Sequence, residues 1–448
     1  MRRGLGYHNR RSPFLVGSGP APTGYWIETL TSTVSSSDVL LGRNIGVDSS
    51  GNSYSIGIYN NAVPDITNDY YFVVSKYNSN GAIQWQKLLT DSNTNVSCWN
   101  GAVDSSGNVY VVGQDNFPNC IAFKLNSSGV LQWQKTLGDN IWFNQFIGVA
   151  LDSSGNIYVG GETTTYSSGN AGDFLIAKYN SSGTLQFQNQ LYDPSSAVYD
   201  DVWAIPVDSS GNYYPVGTAG YVVGFVAKFN SSNVLQWQKS FTPADPSNHF
   251  IIFYSSCVDS SGNIYCCGNY QDNASNINYG VIVKINSSGA IVWQRYVGNA
   301  PYDVTFFYIS IDSSNNLYVA GYGSTATSFV TYIVKYNSSG VLQWQRSLSD
   351  SIGQFGIGIA VDSSGNYYVT GRDNNFLPSS SLTFKLPTDG TRTGTYGSYT
   401  YAASSLVDSA GDMYVNNATY PTSNPGLDDA TGPLTMTVPT FTSTVTIV

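Results

Sequence analysis

Val361–Gly371 reads V-D-S-S-G-N-Y-Y-V-T-G. Close copies place an aspartate at 48, 104, 152, 208, 259, 312, 362 and 408, about every 50 residues. A second phrase, I-V-K-Y-N-S-S-G-V-L-Q-W-Q-R at Ile333–Arg346, recurs with lysine at 76, 124, 178, 228, 284, 335 and 385. Internal repetition on this scale decides an architecture before any local reading does. Both phrases hold a tight turn between strand-sized apolar segments. In D-S-S-G-N the Asp or Ser side chain bonds turn amides, and Gly supplies the positive φ that the return strand needs. Each repeat therefore holds four strands, A and B around the first turn, C and D around N-S-S-G. Two hairpins per repeat, copied along the chain, predict the blades of an all-β propeller.

Composition agrees. Only 11% of the 448 residues are charged, Tyr (34) and Gly (45) are abundant, and helix formers are scarce. The formal charge of -10 argues against nucleic acid as partner of the body. Arg2, Arg3, Arg10 and Arg11 make the start locally basic, a separate feature. Residues 1–24, rich in Pro and Gly, read as an extended N-terminal arm that anchors the chain to an assembly. No apolar run is long enough to span a membrane, and no apolar stretch after the arginines marks a secretory signal. Cys98, Cys120, Cys257, Cys266 and Cys267 lack metal-ligand spacing and read as small buried apolar groups.

Eight A–B phrases predict eight blades in one domain over 25–448. The eighth would start at Ser404, with Leu406–Val407 as A, Met413–Val415 as B and Leu434–Val438 as C. Tyr25–Leu30 (Y-W-I-E-T-L) looks like the W-Q-K-x-L that ends each later repeat, so it is expected to close the ring by pairing in that last blade. The alternatives are that Phe441–Val448 supplies the eighth D strand, or that seven blades carry an extra hairpin.

The phrases G-x-A-V-D-S-S-G-N-x-Y-V-x-G and F-x-x-K-x-N-S-S-G-x-L-x-W resemble the bacterial β-propeller repeat called SBBP, over roughly residues 25–440. The N-S-S-G-V-L-Q-W-Q part is also similar to quinoprotein-type repeats, where a blade tryptophan docks on its neighbour. That resemblance implies structural roles for Trp85, Trp133, Trp237, Trp293 and Trp344, with Phe187 in the third repeat. It implies no cofactor, since no quinone or metal ligands accompany it, and a propeller names no function by itself.

With A running downward, both tight turns lie on the lower face and all variable loops on the upper one, where recognition is expected. The upper loops offer Tyr59, Asp65, Tyr70, Asn116, Phe117, Trp142, Tyr166, Tyr192, Tyr199, Tyr221, Tyr254, Tyr270, Asp272, Tyr302, Tyr322, Asp373 and Asn374. Aromatic rings beside amides and carboxylates suit sugars or a protein interface of low charge. The repeated lysines, mid-strand among apolar residues, read as structural, each held by a repeat aspartate or a carbonyl. The N-S-S triplets read as turns rather than glycosylation sites, and D-S-S-G-N lacks the ligands of a calcium loop. With two histidines (His8 and His249) and no nucleophile or phosphate motif, the expectation is a protein that is not an enzyme. Asp200–Asp201 and Asp428–Asp429 are the carboxylate pairs a glycosidase could use, and as neighbours in loops they read as solvated. Composition and arm together suggest a bacteriophage virion component, a tail, fibre or capsid-surface propeller that contacts host glycans or another virion protein. A cell-surface or secreted adhesive propeller is the second expectation, and a carbohydrate-active enzyme the third.

Overall fold

The structure is a computed structural model. It describes residues 24–447 except 33–38, 62–68, 91–95, 116–118, 139–142, 165–171, 192–198, Tyr221, 244–248, Ala274, 299–300, 326–327, Ile352, 374–379, Gly397, 411–412, 418–421, 424–427, 432–434 and 438–440. The expected anchoring arm, residues 1–24, thus lies outside the described residues except for Gly24.

Seven antiparallel blades, not eight, form the ring. Their A strands are Val39–Val47, Ser97–Val103, Asn144–Leu151, Asp200–Ala204, His249–Val258, Val304–Ile311 and Gln354–Val361. Each A strand packs against the A strand of the next blade, and the first against the last, so the A strands surround the axis. The C strand of blade seven, Ser380–Pro387, pairs with Trp26–Ser32 as its D strand, with Trp26 opposite Lys385.

The eighth blade fails for a physical reason. The phrase around Asp408 mimics an A–B turn but is followed by no lysine, N-S-S-G or tryptophan, and so has no second hairpin to complete a sheet. Instead the chain turns outward after Pro387 and runs back around the ring. Tyr399–Ala403 pairs with the D strand of blade six, Val407–Ala410 with blade five and Tyr414–Asn417 with blade four. Thr422–Ser423, Asp428–Thr431 and Thr435–Thr437 do the same for blades three, two and one. Phe441–Ile447 ends on the far side of Trp26–Ser32, with Ile447 opposite Trp26. Every blade thereby has a fifth, outer strand, and the D-strand edges are covered by a belt.

Side chains fasten this belt. Gln345 Nε2 donates to Leu406 O (3.0 Å), and the Met413 amide donates to Gln294 Oε1 (3.1 Å). Leu406 and Met413 are buried between successive blades, and Tyr401 bonds Tyr367 through their hydroxyls (2.6 Å). The glutamine after the repeat tryptophan therefore serves the belt in blades five and six.

The repeated phrases explain the blades themselves. Asp48 Oδ1 accepts from the amides of Ser50 and Asn52, and its Oδ2 accepts from Asn52 Nδ2 and Tyr54 OH, all within 3.0 Å. The bend needs the left-handed backbone of Gly51, φ 74. Between blades, Trp85 Nε1 (3.1 Å) and Lys76 Nζ (3.0 Å) both donate to Ser127 O in the next blade's C–D turn. The tryptophan ring lies on the turn glycine, so that a Cβ at Gly129 would come within 3.0 Å of Trp85. Lys76 also sits 5.1 Å above the Tyr54 ring, and lysines 124, 178, 228, 284, 335 and 385 repeat that stacking. Blade three departs as a pair of changes: Asn233 (φ 63) stands where the next turn would have glycine, and the smaller Phe187 replaces the tryptophan facing it. Trp26 supplies the seventh ring, on Gly81.

Candidate ligand site at the channel mouth

Each A strand carries one β-bulge, and all seven fall at the same place. The residue left out of register is Arg43, Trp99, Ile147, Trp203, Tyr254, Phe307 or Ile357. A bulge re-aims a side chain. Here all seven, with Asn100 and Tyr308, line one cavity of about 270 Å³ at the axis. The rings meet across it: Trp99 to Trp203 at 6.2 Å, Trp203 to Tyr254 at 5.3 Å and Tyr254 to Phe307 at 5.0 Å. Burial pushes the Tyr254 phenol up to about 12, with Tyr322 adding to it, so these groups are neutral at ordinary pH.

Above the bulges lies a second cavity, about 350 Å³, lined by Arg43, Ile58, Tyr70, Ser97, Cys98 and Trp99. Tyr70 stands near the start of strand C (Asp69–Tyr77), and Ser97 opens an A strand; both ends belong to the upper face. The Arg43 guanidinium stacks 5.3 Å over Trp99 and joins the two cavities. Their volumes lie near the lower end of the roughly 300–1,000 Å³ that small-ligand sites span.

Of the sequence-predicted residues, the structure brings three to this mouth: Tyr70, Tyr254, and Tyr322, which stacks on Phe307 at 5.2 Å. Others fall elsewhere. Tyr59 is buried against Tyr71, and Asp373 accepts from the belt residue Tyr399 (2.9 Å). Tyr270, stacked on Tyr296 (4.4 Å) and His249, and Asp272, 3.2 Å from His249, form a separate group on blade five. Tyr199 is exposed and Tyr302 half-buried. Asp65, Asn116, Phe117, Trp142, Tyr166, Tyr192, Tyr221, Asn374 and Arg2, Arg3, Arg10 and Arg11 lie outside the described residues. The bulged residues other than Tyr254 escaped the sequence reading. Their signal lies in the register: each stands five positions before a repeat aspartate.

A carboxyl pair is the other chemically distinctive feature. Glu162, at the upper end of a B strand in blade three, accepts from Gln145 Nε2 (3.0 Å) and faces Asp201 of blade four. Burial, and then the Asp201 carboxyl, raise Glu162 to about 9, while burial raises Asp201. Glu162 therefore keeps its proton and offers it to Asp201.

Residues 153–185, within blade three, match the family model described as Domain of unknown function (DUF5122) beta-propeller. That match supports a propeller family; it is not the SBBP or quinoprotein repeat that the phrases resemble. No curated protein matches. Among solved structures the chain is similar to the polysaccharide lyase Uly1, at 8% identity over 78% of this chain and 90% of that one, TM-score 0.44. It is similar to a protein of unknown function from Dyadobacter fermentans, at 6% over 82% and 99%, TM-score 0.42. A rhamnogalacturonan lyase, YesW, matches at 10% over 77% and 90%, TM-score 0.29. The expectation that the chain is not an enzyme is corrected here. A buried carboxyl pair in which Glu162 keeps its proton is a group that acid–base chemistry can use.

Proposed function

We propose that this propeller binds a saccharide at the upper mouth of its channel. One observation carries the reading: seven bulges, one per blade, turn four aromatic rings and one guanidinium toward the axis below an open cavity. Rings give sugar faces a flat apolar contact, and Tyr70 and Ser97 offer hydroxyls beside them. Isothermal titration with neutral and acidic oligosaccharides tests the reading. Trp99→Ala is expected to weaken binding about tenfold, a loss in the range of one aromatic contact. Unchanged affinity in a variant with native circular dichroism counts against it.

A second reading is that the protein also acts on a sugar through Glu162 and Asp201, two facing buried carboxyls that lie outside the lining of both cavities and of which Glu162 holds its proton. Turnover lost in both Glu162→Gln and Asp201→Asn supports it; binding without turnover removes it. Attachment to a virion through residues 1–24 rests on composition, and loss of particle incorporation on deleting them is its test.

A further inference from the structure

We infer that the ligand is acidic, a saccharide whose carboxylate sits on Arg43. This rests on the reading of the mouth as a sugar site and names the class of sugar. Arg43 is the charged member of the seven bulged residues, and it lines both cavities. Burial lowers its basicity, and the groups that act on it electrostatically are Cys98 and Tyr308. Neither is an anion at neutral pH, because burial raises the Cys98 thiol to about 12 and raises the Tyr308 phenol further. Among the described residues, then, no carboxylate compensates this guanidinium. Its Nε–H is buried without a hydrogen-bond acceptor, and the Nε1–H of Trp99 beneath it is likewise unmatched. An uncompensated cation lining both cavities is costly unless an anion completes it. A carboxylate does so, because a guanidinium presents parallel N–H groups that match its two oxygens.

The rest of the wall selects among anions. Ile58, Tyr70 and Trp99 present apolar and aromatic surface, which a bare phosphate or sulfate would leave unused. A hexuronate places its ring on that surface and its carboxylate on Arg43. The chain's formal charge of -10 gives a polyanion no general attraction, so affinity has to come from the pocket itself.

The test is titration of the full chain with trigalacturonate and with the matching neutral trigalactoside, in wild type and in Arg43→Gln and Arg43→Lys. The acid is expected to bind at least tenfold more tightly than the neutral sugar. That advantage should fall below threefold in Arg43→Gln and be partly kept in Arg43→Lys, which retains the charge without the planar fork. The wild-type comparison needs no variant to fold. Equal binding of the two sugars overturns the acidic assignment and leaves the saccharide reading standing; binding of neither overturns both. Displacement of trigalacturonate by an equal concentration of inorganic phosphate overturns the sugar acid in favour of a simple anion site.

Discussion

Replacing Glu162 with glutamine should change how stability depends on pH. Glu162 is 3% exposed and faces Asp201, and burial and that carboxyl raise it from 4.5 to about 9. In the unfolded chain it ionises at about 4.3. Between these values the folded protein holds a proton that the unfolded chain has released. Stability from this group is therefore fully present below the unfolded value, and it is lost as pH rises through the folded one. One differential proton is worth about 1.4 kcal/mol per pH unit. Raising pH from 5.5 to 7.5 should cost wild type on the order of 2–3 kcal/mol through this group. Glutamine keeps the shape and can still donate to Asp201, but has no proton to lose. Glu162→Gln should thus gain on wild type by about 1 kcal/mol or more per pH unit across that window. Urea unfolding of both proteins at pH 5.5, 6.5 and 7.5 measures it, and taking the difference cancels the groups that the two share. A difference that stays constant with pH, or that shrinks as pH rises, would refute the account of the pair.

Gly129 and Gly155 share a φ of +74, but a Cβ at Gly129 meets the Trp85 ring at 3.0 Å while one at Gly155 meets only Ser181 Cβ, at 3.5 Å. Gly129→Ala should therefore cost roughly 1–2 kcal/mol more than Gly155→Ala in denaturant unfolding; equal costs would mean the ring does not press on the turn. Lys76→Met removes a 3.0 Å hydrogen bond to the next blade and a stacking on Tyr54, and should lower stability by about 1–2 kcal/mol. Deleting residues 394–448 uncovers the outer edge of all seven blades, so the product should self-associate in sedimentation while keeping its β circular dichroism; a monomer would show that the belt protects nothing. Cys98, Cys120, Cys266 and Cys267 are buried with raised thiols, and should resist a thiol reagent at pH 8 until the chain is unfolded.

The blade was legible because its turns are chemical statements. An aspartate that caps two amides, a glycine with positive φ and a tryptophan seven residues after an asparagine leave few other structures. The number of blades was less legible, because Val407–Ala410 carries the turn phrase without the residues that make a second hairpin. A belt strand has no local requirement beyond extended backbone, so nothing in 394–447 distinguishes an edge strand from an inner one. Tyr70 and Tyr254 could be found as aromatics near variable loops. Arg43 and Trp99 could not be found that way, since they stand inside strands; only alignment of the seven repeats on their aspartates isolates the position. Glu162 and Asp201 are far apart in sequence, and their meeting depends on neighbouring blades.

The belt also sets an order of assembly. Residues 26–32 are made before any A strand of the ring, yet their partners are 381–385 and 441–447. Until those arrive, the first strand waits unpaired beside six growing blades, and blade seven cannot be finished. The belt itself has nothing to lie on before the D strands exist. Closure of the ring should therefore be slow, completed by a lap around an already formed wheel once residues 441–447 have arrived.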